Sequence, residues 1–131
     1  MNLNADVGAF LDRPNFGVLA TTNRDGSCQQ TLMWYALDGD DIVMNTAAGR
    51  RKHHNIAARP RVSLCVVEGR QYVTLEGLAT VERDDPELHR HIGSRYENDE
   101  ALDRLFAESY DVSDRITIRM TIDNVLDGLN V

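Results

Sequence analysis

Near the start of the chain, three strand-sized runs are joined by connections too short for anything but antiparallel pairing. Phe16 to Thr22 leads into Asn23-Arg24-Asp25-Gly26-Ser27, where Gly26 is free to take a positive φ. Cys28 to Leu37 reads as the return strand, and Leu37-Asp38-Gly39-Asp40-Asp41 is a second tight turn before Ile42 to Thr46. Parallel neighbours need a crossover of a dozen or more residues, and none is available here. The first third therefore reads as a β-meander. Further on, Arg61 to Glu68 sets Val62, Leu64 and Val66 against Ser63, Cys65 and Val67. After a turn at Glu68-Gly69-Arg70, a long strand runs from Gln71 to Glu82 with a bend expected at Gly77. A last strand, Ser113 to Leu126, carries Ile116, Ile118, Met120 and Ile122 on one face. Six antiparallel-leaning strands in 131 residues favour a mainly β fold closed into a small barrel, because closure removes exposed edges.

About four short helices fit between these strands. Leu3, Val7, Phe10 and Leu11 recur at helical spacing, and Pro14 ends that helix by disfavouring a helical Arg13. Arg50 to Arg59 is a second helix, stopped by Pro60. Asp84-Asp85-Pro86-Glu87 combines a capping aspartate, proline in the first turn and an acidic start. Asn98-Asp99-Glu100 opens a fourth helix that turns Leu102, Leu105 and Phe106 inward. No repeat or linker interrupts the pattern, so a single domain over residues 1–131 is expected.

The charge distribution narrows the function. The net charge is −7, and a single lysine, Lys52, stands among 14 basic residues. An acidic chain without a broad basic face is not a general nucleic-acid binder. The apolar runs are strand-sized, so no membrane-crossing helix is expected, and the first residues do not read as a signal peptide, which predicts a cytoplasmic location. Cys28 and Cys65 lack metal-ligand spacing and read as small packed side chains.

Against that background, Thr46-Ala47-Ala48-Gly49-Arg50-Arg51-Lys52 is a cationic knot where a strand passes into a helix. Small residues allow a ligand close to the backbone, and free N–H groups at a helix start favour an anion. Arg50 and Arg51 can fork onto phosphate oxygens, and Lys52 adds a compact charge. It is not a phosphate loop of the Walker type, since the first glycine and the Gly-Lys-Ser/Thr ending are missing. His53 and His54 point about 100° apart on a helix and do not chelate one ion, so no metal site is expected; His89 and His91 read as surface residues. The strand Gln29 to Tyr35 alternates Gln30, Leu32 and Trp34 with Gln29, Thr31, Met33 and Tyr35, a surface on which a planar heterocycle could lie. No nucleophile–base arrangement stands out, and no catalytic residue is assigned. Any chemistry would then belong to a bound cofactor.

Taken in order, Phe16 to Thr21, the Arg24 to Ser27 turn, Trp34-Tyr35, Asn45-Thr46, Arg50 to Asn55, Pro60 to Leu64 and Leu75-Glu76-Gly77 resemble the pyridoxamine 5'-phosphate oxidase-like split β-barrel superfamily. Within it the chain is most similar to the short actinobacterial branch that uses the deazaflavin coenzyme F420. The resemblance implies an FMN-binding type of split barrel and a homodimer with its cofactor at the subunit interface. The implied activity is hydride transfer from reduced coenzyme F420 to an electron-poor double bond of a small or medium organic substrate, with FMN as the alternative cofactor. A non-catalytic cofactor-binding protein is the other possibility. It implies that Thr46, Ala47, Gly49, Arg50, Arg51, Lys52 and Asn55 hold the phosphate and tail, and that Gln30, Met33 and Trp34 border the ring. The longer vitamin oxidases carry a C-terminal substrate-binding segment that has no counterpart after Asp123 to Gly128, which argues against that activity.

Overall fold

The computed structural model describes residues 2–112 and 114–130, with side chains throughout except at 109–112. Ser113, the expected first residue of the last strand, lies outside the described residues. The elements in chain order are α1 (Ala5–Asp12), β1 (Gly17–Thr22), β2 (Cys28–Met33), β3 (Ala36–Asp38), β4 (Asp41–Ala47) and α2 (Arg51–Ala58). They continue with β5 (Arg61–Glu68), β6 (Gln71–Arg83), α3 (Pro86–Ser94), α4 (Asp99–Val112) and β7 (Arg115–Gly128). All seven strands form one antiparallel sheet in the order β2-β1-β5-β6-β7-β4-β3.

Seven strands appear where six were expected, because the run from Cys28 to Leu37 breaks at Trp34-Tyr35. The two halves go to opposite ends of the sheet: β2 pairs only with β1, and β3 only with β4. The expected meander is therefore absent. A link of two residues spans no more than about 10 Å, so the two edges of the sheet must come together there. This makes the sheet a barrel, split along a seam where no ladder joins β2 to β3.

The corner is held from a distance. Tyr35 is fully buried, and its hydroxyl donates to the Leu11 carbonyl at 2.7 Å. Arg95, just past α3, donates to the carbonyls of Tyr35, Leu11 (2.9 Å) and Arg13 (3.0 Å), with its guanidinium over the Tyr35 ring. Tyr96 accepts the Tyr35 N–H at 3.2 Å and donates to the Asn15 carbonyl at 2.9 Å. Its ring is sandwiched between Phe16 and Trp34, with centroids 5.6 and 5.0 Å away.

Inside the barrel, Leu19, Leu64, Val66, Leu75, Ile118 and Met120 pack with Phe10 and Leu11 of α1. Full burial of a side chain such as Phe10 is worth about 1.5–3 kcal/mol. Asn4 starts α1 by accepting the Val7 N–H at 2.8 Å. Strand β4 is buried on both faces: Ile42 and Met44 enter the barrel, while Val43 joins Ile92 and Ala36 in a second cluster under α3. The bend at Gly77 is a β-bulge. There the β6–β7 register shifts, and a Cβ on Gly77 would stand 1.8 Å from the Thr121 carbonyl oxygen. Outside the barrel an apolar row crosses β2, β1, β5, β6 and β7 through Leu32, Val18, Cys65, Thr74 and Leu126. Leu32 is 64% exposed, and Val67, Tyr72 and Leu126 lie open on neighbouring positions.

Candidate functional site

The basic run begins where β4 leaves the sheet. Thr46 and Ala47, its last residues, are buried. The Ala48 N–H donates to the Asp114 carbonyl at 2.8 Å, and Gly49 then takes a left-handed φ of +83°. Arg50 is the N-cap of α2 and offers no capping side chain to the helix amides. The Gly49 N–H donates to Nδ1 of His53 at 2.9 Å, so that imidazole braces the turn, with His54 stacked beside it. Among the described residues, no group of three or more His, Cys, Asp or Glu side chains could hold a metal ion.

Helix geometry divides the basic run. Lys52 turns inward and is only 7% exposed, whereas Arg50 and Arg51 lie in solvent. Among the described residues no carboxylate pairs with Lys52. Burial, with the guanidiniums of Arg50 and Arg115 nearby, holds its ammonium below the ordinary lysine pKa. Taking an ammonium out of water costs several kcal/mol or so unless an anion compensates. This arrangement fits a phosphate, brought to a point where three cations and free helix amides converge.

Arg51 and Asn55, one turn apart, face another way. They line a cleft of about 370 Å³ with Asn23, Arg24, Asp25 and Ser27 of the β1–β2 hairpin. The Asn55 amide is already committed. Its Nδ2 donates to Thr21 Oγ1 at 3.0 Å and Asn23 Oδ1 at 2.9 Å, and its Oδ1 accepts from Arg59 at 3.2 Å. Asn55 thus fixes α2 against the hairpin.

A second cleft, of about 330 Å³, opens between the end of β2 and the helices α3 and α4. Its apolar wall is Leu32, Met33, Trp34, Ile92 and Leu105. Its polar end is Asn45, His89 and Arg115. Arg115 Nε donates to Asn45 Oδ1 at 2.9 Å, and Asn45 Nδ2 donates to Asp84 at 2.9 Å. His89 is buried against the Phe106 ring, and desolvation, then the charge of Arg115, holds its imidazole down to about 4. It is neutral at pH 7.

The anticipated residues therefore fall into groups. Lys52 and Arg50 stand by Arg115; Arg51 and Asn55 face the hairpin; Met33 and Trp34 line the second cleft. Gln30 lies on the exposed outer face of β2 beside Leu32. Two expectations fail. His89 is buried, not a surface residue, because α4 and the start of β7 close over it; His91 is exposed. Cys28 is exposed at the start of an edge strand instead of packed, and Cys65 is half-buried. Sequence reasoning did not find Asn45, His89 or Arg115 as cleft residues. The one signal was an arginine near the start of the last strand, which the register sets opposite Ala47.

A family model described as pyridoxamine 5'-phosphate oxidase matches residues 3–127. The chain belongs to that family. Among solved structures, it is similar to one named F420 reductase, at 27% identity over 90% of this chain and 94% of that one, with a TM-score of 0.75. It is also similar to a conserved hypothetical protein from Mycobacterium tuberculosis, at 26% identity over 95% and 83% of the two chains, TM-score 0.77. A putative pyridoxamine 5'-phosphate oxidase from Listeria innocua shares the fold at 18% identity over 93% and 94%, TM-score 0.69. No curated protein matches the chain.

Proposed function

We propose that the protein is an oxidoreductase that uses reduced coenzyme F420 to reduce an electron-poor double bond of a small or medium organic substrate. The observation that carries this reading is Lys52: a buried ammonium beside two guanidiniums, with no carboxylate among the described residues to neutralise it. A phosphate-bearing cofactor supplies the missing charge, and the 27% identical F420 reductase supports the deazaflavin over FMN. When bound, coenzyme F420 supplies the hydride. Lys52, Arg50 and the amides opening α2 would grip its phosphate, and Met33 and Trp34 would border its ring. The chain's part in the reaction is to hold the reacting groups together and exclude water.

The exposed apolar face supports a homodimer with the cofactor at the interface. Leu32, Val67, Tyr72 and Leu126 form more open apolar surface than scattered side chains would. Gln30, on that face and outside the cleft, would meet a ring only with a second copy in place. Among the described residues no helix is long and apolar enough to cross a membrane, and a cytoplasmic location is part of the same proposal. The test is a fluorescence titration comparing coenzyme F420 with FMN, alongside scattering mass. Tighter binding of coenzyme F420 and a mass near twice 14.7 kDa are expected. Preference for FMN would reassign the cofactor, and a mass of 14.7 kDa in dilute solution would end the dimer proposal.

A further inference from the structure

The paired histidines on α2 have no part in the cofactor grip, yet His53 is tied to the turn that carries it. Gly49 stands just before the N-cap Arg50, and its φ of +83° is a conformation that glycine enters freely and leaves as freely. The amides that follow are divided. Those of His53 and His54 donate to the Arg50 carbonyl at 3.0 and 3.3 Å, whereas those of Arg51 and Lys52 have no partner among the described residues. Two bonds hold the turn ahead of them. The Ala48 N–H donates to the Asp114 carbonyl at 2.8 Å, and the Gly49 N–H donates to His53 Nδ1 at 2.9 Å. The second reaches back over one helical turn, the direction in which helix side chains lean. A ring nitrogen that accepts has no hydrogen of its own, so neutral His53 carries its hydrogen on Nε2. The His54 ring stacks beside it, centroids 5.5 Å apart and planes 4° from parallel, which limits how far His53 can turn.

We infer that His53 is a positioning residue for the cofactor phosphate: its neutral Nδ1 holds the Gly49 turn in the one conformation that brings the Arg51 and Lys52 amides and the Arg50 side chain to the same anion. Naming that anion the cofactor phosphate rests on the reading above; the brace itself does not. His53 does not touch the phosphate in this scheme. It acts through Gly49, by ordering before binding a turn that the ligand would otherwise have to order itself.

Side-chain geometry supplies the test. The amide oxygen of asparagine can stand where Nδ1 stands, whereas glutamine carries its polar atoms further out, near Nε2. Coenzyme F420 is titrated by fluorescence into the protein and its variants. His53→Ala should weaken binding about fivefold to tenfold, the worth of one neutral hydrogen bond. His53→Asn should restore the affinity to within about twofold, and His53→Gln should not. Without coenzyme, the Gly49 amide proton resonance should shift in His53→Ala and return in His53→Asn, and the nitrogen resonances of neutral His53 should report a hydrogen on Nε2. Lys52→Met separates the two readings. Coenzyme binding indifferent to Lys52→Met would end the cofactor grip, and this role with it. Binding weakened by Lys52→Met but indifferent to His53→Ala, or rescued by glutamine as well as by asparagine, would overturn the role of His53 alone. A neutral His53 with its hydrogen on Nδ1, or a Gly49 amide unmoved in His53→Ala, would remove the brace itself.

Discussion

Two cations near opposite ends of β7's first half meet opposite fates. Arg119 sits among Asp38, Asp41 and Glu82, with contacts of 3.0, 3.2 and 3.0 Å, and its charge is answered several times over. Hydrogen bonds to Glu82 and its neighbours push its pKa further above the ordinary arginine value. Lys52 is more deeply buried and is surrounded by Arg50 and Arg115. The first arrangement ties β7 to β4 and β6 and is complete. The second costs folding free energy and becomes favourable only when an anion arrives. Among the described residues Lys52 is a buried cation with no carboxylate paired to it, which is why the proposed cofactor site is placed there.

The contrast can be broken or sharpened by four measurements. The largest effect concerns His89, which lies beside Arg115 at the buried end of the second cleft. Its pKa falls from an ordinary 6.5 unfolded to about 4 folded. The folded state thus excludes a proton that the unfolded chain binds. Stability present above pH 6.5 is lost as pH falls through 4, by about 3 kcal/mol in all. Denaturant midpoints from pH 7 to 4 should fall less steeply in His89→Gln. A slope equal to that of the unmodified protein would place the imidazole in contact with solvent.

Next, Lys52→Met should weaken coenzyme binding about 100-fold, or about 2.7 kcal/mol, with an unchanged or higher Tm. If Tm falls as well, Lys52 is an ordinary structural cation and the comparison collapses. Asn55→Ala should cost about 2 kcal/mol by removing the donor to the buried Thr21 hydroxyl and to Asn23 of the hairpin. Its effect on coenzyme affinity should be smaller than that of Lys52→Met. Arg119→Met should be the mildest, about 1 kcal/mol, because its partners are half-exposed and screened. That loss should shrink in high salt, whereas the Lys52→Met gain in Tm should not reverse.

Local chemistry wrote much of the fold legibly. The Asn23 to Ser27 turn holds Gly26 at φ +90°, Asp85 caps α3 through the Glu87 and Leu88 amides, and Pro60 follows α2 as expected. Each of these depends on residues within a few positions of one another. The corner at Trp34-Tyr35 was not legible, because an alternating run gives no sign of breaking and the groups that break it come from Arg95 and Tyr96, some 60 positions away. The same holds at the site. Lys52 stood out by composition, but the division of its neighbours between two clefts follows from how α2 lies on the sheet. His89 reads as one more polar residue in an acidic helix until Phe106 and Arg115 are brought over it.

The split seam also bears on motion. Since no ladder crosses from β2 to β3, the barrel can part there without breaking any strand pairing. Among the described residues, the bonds from Arg95, Tyr96 and Tyr35 and the Phe16–Tyr96–Trp34 stack would have to yield. Local opening follows the cheapest set of contacts, so the seam beside the cleft should breathe more often than the β5–β6 ladder. Amide exchange at Tyr35, whose N–H is held by a side-chain hydroxyl alone, should outpace that at Leu64. The wall of the cleft would then be the part of the barrel that yields first to an entering molecule.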